Sequence, residues 1–381
     1  WQITTRHGWG VYGLNLLLEI LERQNPIPIS LGQIIIDQLP KDNVEALQPI
    51  ISFQKRNFPH LARPGHIANL QDTILLHSMG NEFMKGQISK EFSGEVNLGV
   101  VFFEDTTINS SDLQRINEMD GMITGSSWNT QILQNAGAKN VETVFQGINT
   151  RLFRPLPKQD LYKNKFVIFS GGKLEFRKGQ DIVLEAFKKF LEYHDDVILI
   201  TTWHNPWPET AKSISASPYT NNAPETDSQN NLLISKWISD FGIPDDKFHD
   251  LGIIENKLMP QYLREADLAV FPNRCEGGTN LVAMEAMGCG IPCIIAENSG
   301  QMDLISDENC YKLTSMKNVN FPAWGTDGWG ECSIEELITL MENAYQNRGK
   351  AQNIGLSGSE FIHNWSWKNQ IGTLLEKIDK F

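Results

Sequence analysis

Through the second half of the chain, short apolar runs rich in β-branched residues alternate with stretches of helical periodicity, and that alternation leaves few folds open. Residues 166–170 (FVIFS) end in Gly171-Gly172. Residues 181–192 follow, with Ile182, Val183, Ala186, Phe187, Phe190 and Leu191 at helical spacing. Residues 197–201, 247–251, 268–271 and 292–296 read as further strands. Residues 232–241, 259–265 and 281–287 read as the helices between them. Strands that are apolar on both faces and separated by helices imply a parallel sheet covered on both sides.

The first half is less regular but of the same kind. Strands are expected at 33–36, 73–76, 98–103, 122–124 and 142–145, and a helix at 129–135 that stops at Gly137. Residues 149–158 lose periodicity and carry Pro155 and Pro157, as a linker would. The expected class is α/β: two Rossmann-like doubly wound parallel-sheet domains facing a cleft, residues 1–152 and 153–363. Ligands bind such sheets beyond the carboxyl ends of the strands. Residues 202–231, rich in Pro, Ser, Asn and Thr, read as one long loop.

Composition narrows the function classes. The chain has 381 residues, 40% hydrophobic and 21% charged, with a net charge of −13. This excludes a disordered, collagenous or disulfide-rich chain and argues against nucleic acid as the main partner. No run approaches the roughly 18 apolar residues that cross a bilayer. Residues 1–152 carry 11 Lys and Arg against 15 Asp and Glu, so no basic face is expected to hold the chain firmly on a membrane. A cytoplasmic protein, at most weakly peripheral to a membrane, is expected. Trp1 is not a natural start, so a short N-terminal piece is expected to be missing. The five cysteines are odd in number and form no Cys-x-x-Cys, as expected of reduced thiols rather than a disulfide or zinc framework.

Three segments carry chemistry. The string FPNRCEGGTNLVAMEAMGCGIP (271–292) runs from a strand through a Gly-containing turn bearing Glu276 into a helix capped by Thr279 or Asn280. The start of such a helix offers unpaired N–H groups to a phosphate. Glu285, in the second turn, is placed to accept two hydroxyl hydrogen bonds from a ribose or hexose. The string SGGKLEFRKG (170–179) also follows a strand, and gathers Lys173, Arg177 and Lys178 in one turn of an acidic protein. Cations so placed stabilise a departing diphosphate. The string HGWGVYG (7–13) runs into an apolar helix, and Gly8 and Gly10 would let backbone approach a ligand closely. His77, read as ending the 73–76 strand, is a further candidate. Asp267, at a strand start, reads as structural.

Taken together, these residues resemble the retaining family-4 (group 1) glycosyltransferases of the GT-B fold. GINTRLFRP (147–155), ADLAVFP (266–272) and MEAMGCGIP (284–292) support the likeness, which is strongest over 166–300. The resemblance implies that the C-terminal domain holds a nucleotide-diphosphate sugar. It implies that Glu285 binds the ribose, Glu276 the sugar hydroxyls, and Lys173 and Lys178 the diphosphate, beside which the turn's own charge pattern places Arg177. The backbone of Gly277, Gly278, Thr279, Asn280 and Leu281 would cap that diphosphate. It also implies that a C-terminal helix, about 364–381, crosses back to the first domain.

Three departures stand out. The two glutamates are separated by eight residues where seven are usual. Lys173 stands where an Arg is usual, losing the bidentate fork. Glu104 follows the 98–103 strand where the family often has a His.

The expectation is a metal-independent glycosyltransferase, retention of configuration being implied by the resemblance alone. Its donor would be a UDP-, GDP- or ADP-linked sugar and its acceptor a glycan, a lipid-linked or a small-molecule hydroxyl. No cofactor is expected, and no Asp-x-Asp occurs to bridge a metal to the diphosphate. Glu276, Lys173, Lys178, Glu104 and His77 are the candidate catalytic residues. A sugar-nucleotide epimerase or hydrolase of the same fold, or a non-catalytic sugar-nucleotide-binding module, are the alternatives.

Overall fold

A computed structural model describes residues 1–381 except 25, 62–64, 221 and 323. The chain divides into two compact units, 1–147 with 365–381, and 148–364.

In the first unit, β1 (Ile74–Met79), β2 (Val96–Val101), β3 (Gly121–Thr124) and β4 (Val141–Thr143) form a parallel sheet in that order. The helix Gly8–Arg23 buries Leu14 and Leu17 in a cluster with Ile3, Ile34 and Ile50. The helix Trp367–Ile378 returns to this unit. Arg23 Nη2 donates to the Lys368 carbonyl at 2.9 Å, and Trp365 stacks on Phe145 with ring centroids 4.3 Å apart. The strand expected at 33–36 is only a single bridge, Ile34 with Ile3, after which the chain turns into a 3₁₀ segment at Ile36–Gln38.

The second unit holds six parallel strands: β5 (Phe166–Gly171), β6 (Val197–Thr202), β7 (Phe248–Asp250), β8 (Leu268–Phe271), β9 (Cys293–Ala296) and β10 (Tyr311–Leu313). Their spatial order is β10-β9-β8-β5-β6-β7. The order reverses between β5 and β8, so the loops that follow these two strands lie side by side at the switch point. Every residue of β5, β8 and β9 is buried, as expected of strands apolar on both faces. Asp267 ties the linker to this sheet: its Oδ2 accepts from the Val167 N–H at 2.9 Å and its Oδ1 pairs with Lys158 at 2.5 Å.

The expected long loop at 202–231 has internal structure. It contains a helical turn, Pro208–Ala211, a 3₁₀ segment, Lys212–Ala216, and a bridge from Thr226 to Leu232. Its few apolar residues decide this, because Trp203, Ala211 and Ile214 are fully buried in the main core. The helices Ile334–Gln346 and Arg348–His363, absent from the sequence reading, contribute Leu337, Met341, Ala344 and Ala351 to that core. All five cysteines are buried free thiols. Among the described residues no helix is long and apolar enough to cross a membrane.

Candidate active site

The site is built from the two loops at the switch point. After β5 the chain turns at Gly172 (φ 116°), makes a 3₁₀ turn, Phe176–Lys178, and enters the helix Gln180–Phe190 through Gly179 (φ 69°). Gly179 is required twice over. Its φ is left-handed, and a Cβ there would stand 2.4 Å from the Pro272 carbonyl oxygen of the other loop. That close approach lets charges from one loop meet charges from the other.

They form a ladder. Lys173 Nζ pairs with Glu175 Oε1 at 2.9 Å, and Glu175 Oε2 with Arg177 Nε at 2.7 Å. Arg177 Nη1 reaches Glu276 Oε2 at 3.1 Å, and Lys178 Nζ reaches Glu276 Oε1 at 2.5 Å. Asn273 Nδ2 also donates to Glu276 Oε1. The four residues that the sequence singled out in two separate strings, Lys173, Arg177, Lys178 and Glu276, are thus one cluster, with Glu175 as an unforeseen member. Burial opposes the charge on Glu175, but Arg177 and Lys173 hold its carboxyl at about 2. Burial likewise opposes the charge on Glu276, and Lys178 and Arg177 hold its carboxyl below the usual range. The Lys173 ammonium also lies over the Trp207 ring, 5.1 Å from its centroid.

The helix Leu281–Gly288 begins beside Glu276. Asn280 is its N-cap, in left-handed backbone (φ 64°), and its side chain accepts from the Ala283 N–H at 3.3 Å. Its Nδ2 is buried without a partner. Thr279 is fully buried with its hydroxyl on the Met284 sulfur at 3.1 Å, so it offers a ligand backbone only. Gly278 and Leu281 are half-buried, whereas Gly277 is buried. Glu285 has a different environment from Glu276. Among the described residues no cation pairs with it, and Asn256 Nδ2 donates to its Oε1 at 2.7 Å. Burial pushes its carboxyl up to about 7, against the pull of that hydrogen bond.

The first unit corrects two expectations and places Glu104. Gly8 and Gly10 are not in a loop. They form the first turn of the helix Gly8–Arg23, where the His7 ring nitrogen Nδ1 accepts from the Gly10 N–H at 3.1 Å. A Cβ on Gly10 would stand 2.3 Å from the Thr4 methyl, so this glycine admits its own chain. His77 does not end a strand: β1 continues to Met79, and His77 is fully buried within it. Its Nε2 bonds Asn97 Oδ1 at 3.1 Å, its Nδ1 has no partner, and burial lowers its pKa. Glu104 lies three residues beyond β2, half-buried, its N–H held by Asn81 Oδ1 at 2.9 Å. The neighbouring Phe102 packs edge-on against Trp9, 4.8 Å between centroids.

Sequence reasoning missed the frame behind the ladder. Ser299 Oγ accepts from the Glu276 N–H at 2.9 Å, and Asn298 and Gln301 both donate to the Asn273 carbonyl at 3.0 Å. Arg274, fully buried, donates to Phe176 O at 2.7 Å and to Asp181, and lies 4.1 Å over the Phe176 ring. In the sequence Arg274 is the one cation between Phe271 and Leu281, with no local pattern to name its partner. Its neighbours in space lie some 93 and 98 positions away, out of reach of any local pattern.

Residues 155–319 match the family described as glycosyl transferases group 1. The chain is 21% identical over 246 residues to a GDP-mannose-dependent alpha-(1-6)-phosphatidylinositol monomannoside mannosyltransferase of Mycolicibacterium smegmatis, covering 61% of this chain and 54% of that one. It is 28% identical over 177 residues to D-inositol 3-phosphate glycosyltransferase 1 of Catenulispora acidiphila, covering 44% and 38%. The chain therefore spans about half, or less, of the length of these relatives. The solved structure of Anabaena HepE in complex with UDP and glucose superposes over 100% of this chain and 99% of that one, with a TM-score of 0.63 at 13% identity. The fold is GT-B, and residues 155–319 belong to the group 1 glycosyl transferases.

Proposed function

We propose that this protein transfers a sugar from a nucleotide-diphosphate sugar to an acceptor hydroxyl, with retention of anomeric configuration and without a metal ion. One observation carries the reading: Arg177 and Lys178 converge on Glu276 beside the start of the Leu281–Gly288 helix, at the switch point of a parallel sheet. In this reading the two cations and the helix N–H groups receive the diphosphate, with Lys173 at the edge of the site. As the bond to the sugar breaks, negative charge grows on the leaving diphosphate, and fixed cations stabilise it without reorganising. Glu276 holds sugar hydroxyls and Glu285 the ribose. The relatives' donors favour a UDP- or GDP-linked sugar, with an ADP-linked one as the further candidate.

The first unit carries the acceptor in this reading, a glycan, a lipid-linked or a small-molecule hydroxyl, with Glu104 as its candidate polar contact. An epimerase or hydrolase would call on His77 as an acid or base, and its place inside the sheet, bonded to Asn97, does not favour that. We assign the protein to the cytoplasm, where nucleotide sugars are available.

Consumption of UDP-glucose, GDP-mannose and ADP-glucose, followed with a panel of acceptors in the presence of EDTA, tests the reading. Acceptor-dependent release of one nucleoside diphosphate, with an unchanged anomeric configuration in the product's NMR spectrum, is expected. An absolute need for a divalent cation overturns the metal-free part, and inversion overturns retention.

A further inference from the structure

The ladder holds three cations, Lys173, Arg177 and Lys178, against two carboxylates, Glu175 and Glu276, and the two are not equivalent. Glu175 lies on the same turn as its cations, and its carboxylate spans Lys173 and Arg177. Glu276 comes from the other loop and takes up the two cations nearest the start of the Leu281–Gly288 helix, at 3.1 and 2.5 Å. Its carboxylate is almost entirely buried. A bound diphosphate needs the same two cations. It gains them only by displacing a carboxylate that then has to find other partners, because a buried charge left unpaired is costly.

We propose that Glu276 is an internal competitor for the diphosphate, and that it thereby selects the sugar-loaded donor over the free nucleoside diphosphate. This rests on the reading of Arg177 and Lys178 as the diphosphate site. When a nucleotide sugar binds, the two cations pass from Glu276 to the diphosphate, and the sugar's hydroxyls, as donors, pair the freed carboxylate. When only the nucleoside diphosphate binds, the cations still pass to it, but the carboxylate has lost them and gained no hydroxyls. Among the described residues, Asn273 Nδ2 is the side-chain donor that remains beside it. Binding of substrate is thus supported where binding of the spent nucleotide is opposed, and the returning carboxylate helps expel the product. Glu175 keeps Arg177 in place through this exchange, since it holds Nε while Nη1 changes hands.

Titration calorimetry on the full chain tests this with UDP, GDP and ADP as probes, each beside its glucose or mannose conjugate. Wild type is expected to bind the preferred conjugate more tightly than the corresponding diphosphate. In Glu276→Gln the diphosphate is expected to bind about tenfold tighter, the scale of one charge-assisted hydrogen bond no longer surrendered. The preference for the conjugate should shrink in the same variant. Thermal melting confirms that the variant is folded, and Glu276→Ala repeats the measurement with a shorter side chain.

Equal affinity of wild type for diphosphate and conjugate overturns the proposal without any substitution. If Lys178→Ala loses the diphosphate while folded Glu276→Gln or Glu276→Ala binds it no better than wild type, the competitor role falls and the diphosphate site stands. If neither wild type nor the folded Glu276 variants bind any of the three diphosphates, both fall.

Discussion

Arg274 and Asp181 meet through two parallel hydrogen bonds, Nη1 to Oδ1 at 2.8 Å and Nη2 to Oδ2 at 2.6 Å, with both side chains wholly removed from solvent. Asp181 stands in the first turn of the helix that follows the cationic loop, and Arg274 lies two residues before Glu276. The pair therefore fixes the loop after β8 against the cationic loop after β5. Glu331 accepts from Arg274 Nε at 2.5 Å and Ser217 Oγ donates to Asp181 Oδ2 at 2.5 Å, so few polar positions around the pair are left open.

Removing one partner of such a pair leaves the other charge buried and uncompensated. Arg274→Ala is expected to destabilise the second unit by about 3–5 kcal/mol. The measurement is the denaturant midpoint followed by tryptophan fluorescence, since Trp203, Trp237 and Trp329 are all buried in that unit. A midpoint within error of wild type would show that the pair is dispensable.

Two carboxylates give stability opposite slopes with pH. Glu285 is raised from its ordinary 4.5 to about 7 by burial, so the folded state prefers it protonated. Its contribution is complete below pH 4.5 and is lost as pH rises toward about 7. Glu175 is lowered to about 2, its burial outweighed by Arg177 and Lys173, so its contribution is present above pH 4.5 and is lost as pH falls toward about 2. Glu285→Gln is therefore expected to remove the fall in stability between pH 4.5 and 7 while leaving the acid limb in place. Denaturation midpoints at half-unit pH steps check this, and parallel profiles for wild type and variant would assign the upper limb elsewhere.

The two glutamates are expected to separate in steady-state kinetics. Glu285, on a regular helix, is assigned to the ribose, which does not change during reaction, so Glu285→Gln should mainly raise KM for the donor. Glu276 is assigned to the sugar, where charge and shape change at the barrier, so Glu276→Gln should mainly lower kcat. An unchanged kcat in Glu276→Gln would remove that residue from the reacting centre.

How much of this was legible in the sequence follows from the range of the interactions. β5, β6, β8 and β9 are local apolar runs, and they lie within a residue or two of where periodicity puts them. Gly179 was legible as a loop glycine, but its contact with Pro272 depends on β5 and β8 being neighbours across a reversal in strand order. At Gly10, glycine spacing alone does not distinguish a ligand's approach from that of Thr4. At His77 the apolar run ended three residues early, for His77, Ser78 and Met79 continue the ladder with Gly99, Val100 and Val101. Strand pairing, not side-chain polarity, sets that boundary. The resemblance to group 1 glycosyltransferases named Lys173, Lys178 and Glu276 singly, and the charge pattern of the loop added Arg177. Their union in a ladder through Glu175 required the folded chain.

The central claim is that Lys178, on the loop after β5, binds the donor's diphosphate. Titration of the nucleoside diphosphate that wild type binds into Lys178→Ala, with thermal melting to show that the variant is folded, tests it most directly. The account predicts affinity weaker by about 30-fold or more, as expected when one side of a buried charge contact is removed. An unchanged dissociation constant in a folded variant would contradict it.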